Sequence, residues 1–335
     1  MLGNIRNQPA SLRRLAEYHL GVGAVNLRAA AAAVRAAGEV VFTGMGSSLF
    51  AAIPAADYLN ARGVRAAVVD ASELLHFGRT QARRAALVLV SRSGETVEIA
   101  RLLPAVSHGP GPVIGVTNES GSLLARQAQH VICLNSDADR MVAVQTYTGT
   151  MAVLLLLAAA TLEEALPKWR ELLEAAAQTL SAAIGEAAAG GEEWAAFLAG
   201  AAVVYLLGRG PSLASVREGA LLLNEASRTP SVAMSAAQFR HGPVEVVYER
   251  FRGIVFASQE ATRDLDLALA GDLTALGGKV RICQARGVPP PLEPLVEIVP
   301  VQVAACRLAE AKGIDPGDFR HATLVTRTEA GFGAP

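Results

Sequence analysis

Glu39-Val40-Val41-Phe42-Thr43-Gly44-Met45-Gly46-Ser47-Ser48-Leu49 recurs in outline as Ala202-Val203-Val204-Tyr205-Leu206-Leu207-Gly208-Arg209-Gly210-Pro211-Ser212-Leu213. In each copy an apolar, β-branched run leads into GxGxSL and then into a helical pattern. Two tandem copies of one α/β unit follow from this. After the first copy, short apolar runs at 66–69, 86–90, 113–116 and 130–133 alternate with alanine-rich helical stretches. The second copy offers runs at 203–207, 231–234, 253–257, 280–283 and 296–299. Strands separated by helices predict a parallel, doubly wound sheet flanked by helices in each copy. Residues 10–37 read as one or two helices outside the first strand, and 143–186 as a mostly helical link. Domains are therefore expected at 1–186 and 187–335.

Composition narrows the function. The chain has 335 residues, 51% apolar and 18% charged, enough for two cores of ordinary size and a soluble globular protein. A formal net charge of −1 gives no whole-molecule field to hold nucleic acid or an anionic membrane, so a small molecule is the expected partner. The longest uncharged apolar stretch, 151–160, falls short of a bilayer span, and the first residues show no signal-peptide pattern, so the protein is expected in the cytoplasm. Cys133, Cys283 and Cys306 have no metal-ligand or disulfide spacing and read as buried fillers; no metal and no cofactor is expected. Lys168, Lys279 and Lys312 are the only lysines.

The run 86–90 delivers Ser91-Arg92-Ser93-Gly94-Glu95-Thr96 to a helix start. Unpaired N–H groups and the positive end of a helix dipole, with three hydroxyls around them, suit a dianionic phosphate. A capping box with Ser93 as N-cap and Glu95 or Thr96 in the first turn is the plainer alternative. The strand-GxG pattern also invites a dinucleotide, with Asp70 mimicking a ribose-binding acid. Against it, Leu49 and Leu213 stand where the third glycine of that motif belongs.

The combination of GMGSS at 44–48, SRSGET at 91–96, VIGVTN at 113–118 and VQTYTGT at 144–150 resembles the sugar isomerase (SIS) domain. GRGPSLASVREGALLLNEAS at 208–227 and QFRHGPVEVV at 238–247 are similar to the second SIS half of the isomerase domain of glucosamine-6-phosphate synthase and its deaminase-like relatives; residues 315–326 are similar to that family's C-terminal segment. The resemblance implies an α/β chain of two tandem SIS domains, forming a homodimer. It implies that Ser47 and Ser48, with Ser91, Ser93 and Thr96, hold the phosphate of a six-carbon sugar; Arg92, standing where the family often has Gln, reads as a charge-assisted contact to it, with a side chain pointing to solvent as the alternative. Gly46, Gln145 and Glu218 are weaker candidates for substrate contact; Gln145 replaces a lysine common in the family. The catalytic pair carried over is Glu225, shuttling a proton between carbons 1 and 2, and His241, reaching from the partner subunit to assist ring opening. Without the motif, Glu225 reads as a solvated helix residue and His241 as a turn residue. The remaining histidines, His19, His76, His108, His130 and His321, read as structural.

The resembling synthases also carry a lysine three residues before the catalytic Glu and a Schiff-base lysine in the C-terminal segment; here those positions are Leu222 and Leu324. Imine formation demands an amine, and of the three lysines only Lys312, near the tail, is left as a candidate. Because the chain begins with the helix before the first SIS unit, no glutaminase domain is expected. Proton-transfer isomerisation survives these losses. The expected reaction is deamination of glucosamine 6-phosphate to fructose 6-phosphate and ammonia. The alternatives are a deglycase of a phosphorylated sugar-amine adduct, or a non-catalytic sugar-phosphate sensor.

Overall fold

The apolar runs of the first copy become five parallel strands: β1 (Glu39–Gly44), β2 (Arg65–Asp70), β3 (Ala86–Val90), β4 (Val113–Thr117) and β5 (His130–Cys133), in the order β2-β1-β3-β4-β5. The second copy forms β6 (Val204–Gly208), β7 (Ser231–Ser235), β8 (Arg252–Phe256) and β9 (Lys279–Cys283), also parallel, in the order β7-β6-β8-β9. The same winding is thus used twice, an α/β fold with two parallel sheets flanked by helices. The computed structural model describes residues 1–79 and 84–331.

Contacts divide the chain into two units that cross in sequence. The first takes in Ala10–Ala138, Gln145–Leu173 and the segment from Phe319; the second takes in Met1–Pro9, Asp139–Val144 and Glu174–Asp318. The tail, read from sequence as the end of the second domain, packs with the first unit.

In the first unit β3 and β4 are buried along their whole length, as central strands covered on both faces must be. One face gathers Val41, Leu87 and Leu89 against Leu74, Leu75, Ile99, Leu102, Leu103 and Val106. The other is covered by the helix Ala24–Ala37, on which the helix Gln145–Thr161 packs in turn. All seventeen residues of the latter are buried, so it has no polar face and can exist only as an internal layer. The second sheet builds its own cluster from Leu207, Phe239, Phe251, Val255, Leu269 and Leu273. Cys283 and Cys306 are buried and Cys133 half-buried, all as free thiols.

Two expectations are corrected. The fifth strand at 296–299 is absent: Glu293–Glu297 and Val299–Ala311 are helices. Pro294 and Pro300 each sit in a helical first turn, where a missing N–H costs nothing, and the β-branched run between them misleads because its side chains are buried all round. The first helix starts at Leu2, with Pro9 inside it, rather than at residue 10.

His19 ends that helix and is 1% exposed, its Nε2 3.3 Å from the Leu134 carbonyl. Burial pushes its imidazole down to about 4, against the pull of that carbonyl. A depressed histidine adds stability that is present above the unfolded value of 6.5 and is lost as pH falls towards 4, by up to about 3 kcal/mol. Urea unfolding followed from pH 7 to pH 4 should therefore show a loss of stability that is smaller in His19→Gln.

Candidate functional site

From β1 the first chain copy moves outward to β2 and then crosses back to β3 on the other side of β1. Such a reversal opens a crevice beyond the carboxyl ends of the two strands, where ligands of open α/β sheets bind. Both hydroxyl-rich turns start there. Gly44 ends β1 beside Val90 of β3, and a Cβ on it would stand 2.6 Å from the Val90 carbonyl oxygen, so glycine alone keeps the turns this close. Gly46, at φ +51°, then redirects the chain into the short helix Ser47–Phe50, whose first residues, Ser47 and Ser48, are half-buried.

After β3 the buried Ser91 extends the ladder by donating its N–H to the Val116 carbonyl at 3.0 Å. Its hydroxyl lies 2.9 Å from that of Thr96 and accepts the Gly94 N–H at 3.1 Å. Ser93 and Arg92 are half-buried. The Ser93 hydroxyl accepts the Glu95 N–H at 3.3 Å. The Arg92 carbonyl accepts the Asn118 N–H at 3.0 Å and the Thr117 hydroxyl at 3.1 Å, tying the turn to the end of β4. On the other side, the Gly94 carbonyl accepts the Leu124 N–H at 3.1 Å and Glu95 Oε1 accepts the Leu123 N–H at 2.7 Å. The turn is held in shape mainly through its backbone.

The capping box read from sequence does not form. Thr96, not Ser93, is the N-cap of the helix Val97–Val106, and it makes no side-chain capping bond. The Val97 N–H is taken instead by the Thr326 carbonyl, at 3.0 Å. The ribose-like Asp70 is itself a cap, accepting the Ser72 N–H at 2.8 Å and the Glu73 N–H at 3.4 Å, which explains an acid at that strand end without a nucleotide.

The tail borders a cavity of about 510 Å³ beside the same helix start, lined by Ser72, His76, Glu98, Thr326, Thr328 and Glu329 among others. Glu329 pairs with His76 at 3.2 Å and with Arg101. Gln145 is buried at the head of the internal helix, its Nε2 donating to the Ala138 carbonyl at 3.1 Å. Thr117 and Asn118, at the end of the VIGVTN motif, position the Ser91 turn. The β4 carboxyl end next to a hydroxyl turn was the signal for them.

Glu218, Glu225 and His241 belong to the second unit. Glu218 is fully buried in the helix Leu213–Ala226, and Glu225 is half-buried in its last turn. That helix runs back from the carboxyl end of β6 to the start of β7, whereas His241 follows the other end of β7, exposed before Gly242 at φ +124°. Five residues of strand span about 17 Å, and Glu225 and His241 lie in the chain on either side of β7. Lys312 is engaged: Nζ donates to the Ser227 carbonyl at 2.9 Å and to the Thr229 hydroxyl at 2.7 Å, closing the C-terminal end of the Glu225 helix, and burial lowers its pKa.

Residues 34–160 match the family model described as SIS domain. The chain is similar to glutamine–fructose-6-phosphate aminotransferase (isomerizing) of Pyrobaculum aerophilum, 27% identical over 348 residues that cover 98% of this chain and 57% of the relative. The Aeropyrum pernix protein of the same name is 29% identical, with 98% and 57% coverage. The chain spans about half the length of the curated relatives it matches. Among solved structures it is similar to glucosamine-6-phosphate deaminase from Thermotoga maritima, with TM-score 0.80, 20% identity and 97% and 98% coverage of the two chains. The C-terminal domain of glucosamine-fructose-6-phosphate aminotransferase from Francisella tularensis also superposes, with TM-score 0.80, 19% identity and 94% and 96% coverage. At these identities the structures speak for the fold.

The Ser91 turn depends on Gly94, whose φ is +64° and whose added Cβ would lie 2.1 Å from Ser122 Oγ and 3.0 Å from Thr117 Oγ1. Gly94→Ala should cost about 2–4 kcal/mol, adding left-handed strain to overpacking. The urea midpoint should drop accordingly, while Gly121→Ala, with open space around it, should leave it near wild type.

Proposed function

We propose that this chain is an amino-sugar phosphate isomerase that deaminates a hexosamine 6-phosphate, glucosamine 6-phosphate first among them, working as a homodimer. The observation that carries the reading is that two hydroxyl-rich turns leave the neighbouring strand ends at the β1/β3 switch point, and that the helix after the second has no side-chain capping bond. The similarity of residues 34–160 to the SIS model and of nearly the whole chain to sugar-phosphate aminotransferases supports the substrate class.

In this reading Ser48, Ser91, Ser93 and Thr96 donate hydroxyl hydrogen bonds to the phosphate, with Ser47, the Gly46 backbone and the Arg92 guanidinium at its margin. The partner's His241 moves the proton that opens the ring. Glu225 then takes the proton from C2 of the open aldehyde while the C1 oxygen gains one, and returns it to C1. The nitrogen on C2 is left as an imine; water adds there and ammonia leaves, giving fructose 6-phosphate. The substrate brings its own nitrogen, so no lysine need form an imine, which fits Leu222 and Leu324 and the hydrogen-bonded Lys312.

Purified protein given glucosamine 6-phosphate should release ammonia and fructose 6-phosphate in equal amounts. Glu225→Gln should lower kcat by about 10²–10⁴-fold, and Ser91→Ala or Ser93→Ala should raise KM by about 10-fold or more. No ammonia, together with Glu225→Gln matching wild type on related sugar phosphates, would sink the assignment. Turnover of a phosphorylated sugar-amine adduct instead would identify the deglycase, and thermal stabilisation by ligand without product would identify a sensor.

A further inference from the structure

The second sheet repeats the first closely enough to be overlaid by register. Gly44 pairs with Val90, and the equivalent Gly208 of β6 lies level with Phe256 of β8. Gly46 and Gly210 share a left-handed turn, at φ +51° and +53°. Ser212 therefore stands where Ser48 does, and Ala257-Ser258-Gln259 stands where Ser91-Arg92-Ser93 does. The second mouth keeps hydroxyls: Ser212, Ser215 and Ser258 are 0%, 0% and 3% exposed. It also keeps a helix start, since Ser212 is the N-cap of the 14-residue helix Leu213–Ala226.

Ser212 makes no capping bond to that helix. Its hydroxyl donates at 3.1 Å to Glu297 Oε2, while accepting from Gln259 Nε2 at 3.3 Å. Beside it, Ser258 Oγ accepts the Ala285 N–H at 2.9 Å and Ser215 Oγ donates to the Pro294 carbonyl at 3.4 Å. Glu297 is 1% exposed, and among the described residues its Oε1 has no hydrogen-bond partner. One turn earlier lies Glu293, 6% exposed, with Oε2 likewise without one. Burial pushes Glu297 up to about 7, against the pull of the three serine hydroxyls, and Glu293 is raised in the same way. An ionised carboxyl accepts hydrogen bonds and donates none, the property for which a phosphate suits hydroxyls gathered at a helix start.

We propose that the mouth of the second sheet is an anion cradle of the same design as the first, closed from within by Glu297, whose carboxyl group occupies the place of a ligand's phosphate. The chain then holds one open cradle for a phosphorylated ligand, at the Ser91 turn, and one latent cradle at Ser212. The inference rests on the reading of the first mouth as a phosphate site, but the two can fail separately.

Crystals of wild type, Glu297→Ala and Glu297→Gln soaked in inorganic phosphate would test it, with calorimetry giving stoichiometry in solution. Wild type and Glu297→Gln, which keeps an acceptor in place, should show no phosphate among Ser212, Ser215 and Ser258. Glu297→Ala should gain one there, raising the stoichiometry by one per chain; should it fail to fold, Glu297→Ser opens the same space and carries the same expectation. Phosphate at Ser212 in wild type, or none there in a folded Ala or Ser variant, would overturn the proposal. Occupancy at the Ser91 turn reads the earlier proposal independently.

Discussion

A missing methyl group at the end of β1 fixes the geometry of the candidate site. With the Val90 carbonyl oxygen 2.6 Å from where a Cβ of Gly44 would stand, any other residue would push β1 and β3 apart at their carboxyl ends. Parallel strands lie about 4.8 Å apart, so the turns leaving two such strands become neighbours only if neither carries bulk at the join. The turn carrying Ser47 and Ser48 and the Ser91 turn leave neighbouring strand ends for that reason. At Gly208 a Cβ would instead meet the Val216 side chain of the following helix at 2.9 Å, with Phe256 of β8 at 3.3 Å.

The recurring strand order keeps the frame while its contents change. Strand order, the central glycine and the left-handed second glycine recur. What fills each mouth differs. In the first, the buried Ser91 lies among half-buried hydroxyls on a backbone-anchored turn; in the second, buried serines surround Ser212, which donates to an acid supplied by the helix after β9. A fold repeated within one chain thus need not repeat its chemistry, because chemistry resides in the side chains placed on it.

Much of this was legible in the sequence because apolar runs of parallel strands are buried on both faces and stand out as such. The GxGxSL repeat located both central strands, and the hydroxyls of SRSGET marked the turn. Three things were hidden. Val296–Val299 reads as a strand because β-branched residues are equally at home on a fully buried helix, and only the prolines at 294 and 300 argued otherwise. The absence of a capping box depended on Thr326, which no local pattern connects to Val97. Glu293 and Glu297 were invisible as a cluster with Ser212, since their meeting is set by how the chain returns after β9.

The bond between the Val97 N–H and the Thr326 carbonyl joins positions 97 and 326. Nearly all of the second unit lies between them in the chain. During synthesis the tail segment that completes the start of the Val97–Val106 helix follows only after β6 to β9 have been made. Contacts of such long sequence separation form slowly. The start of the Val97–Val106 helix therefore gains this hydrogen bond only once the strands of both sheets have been made.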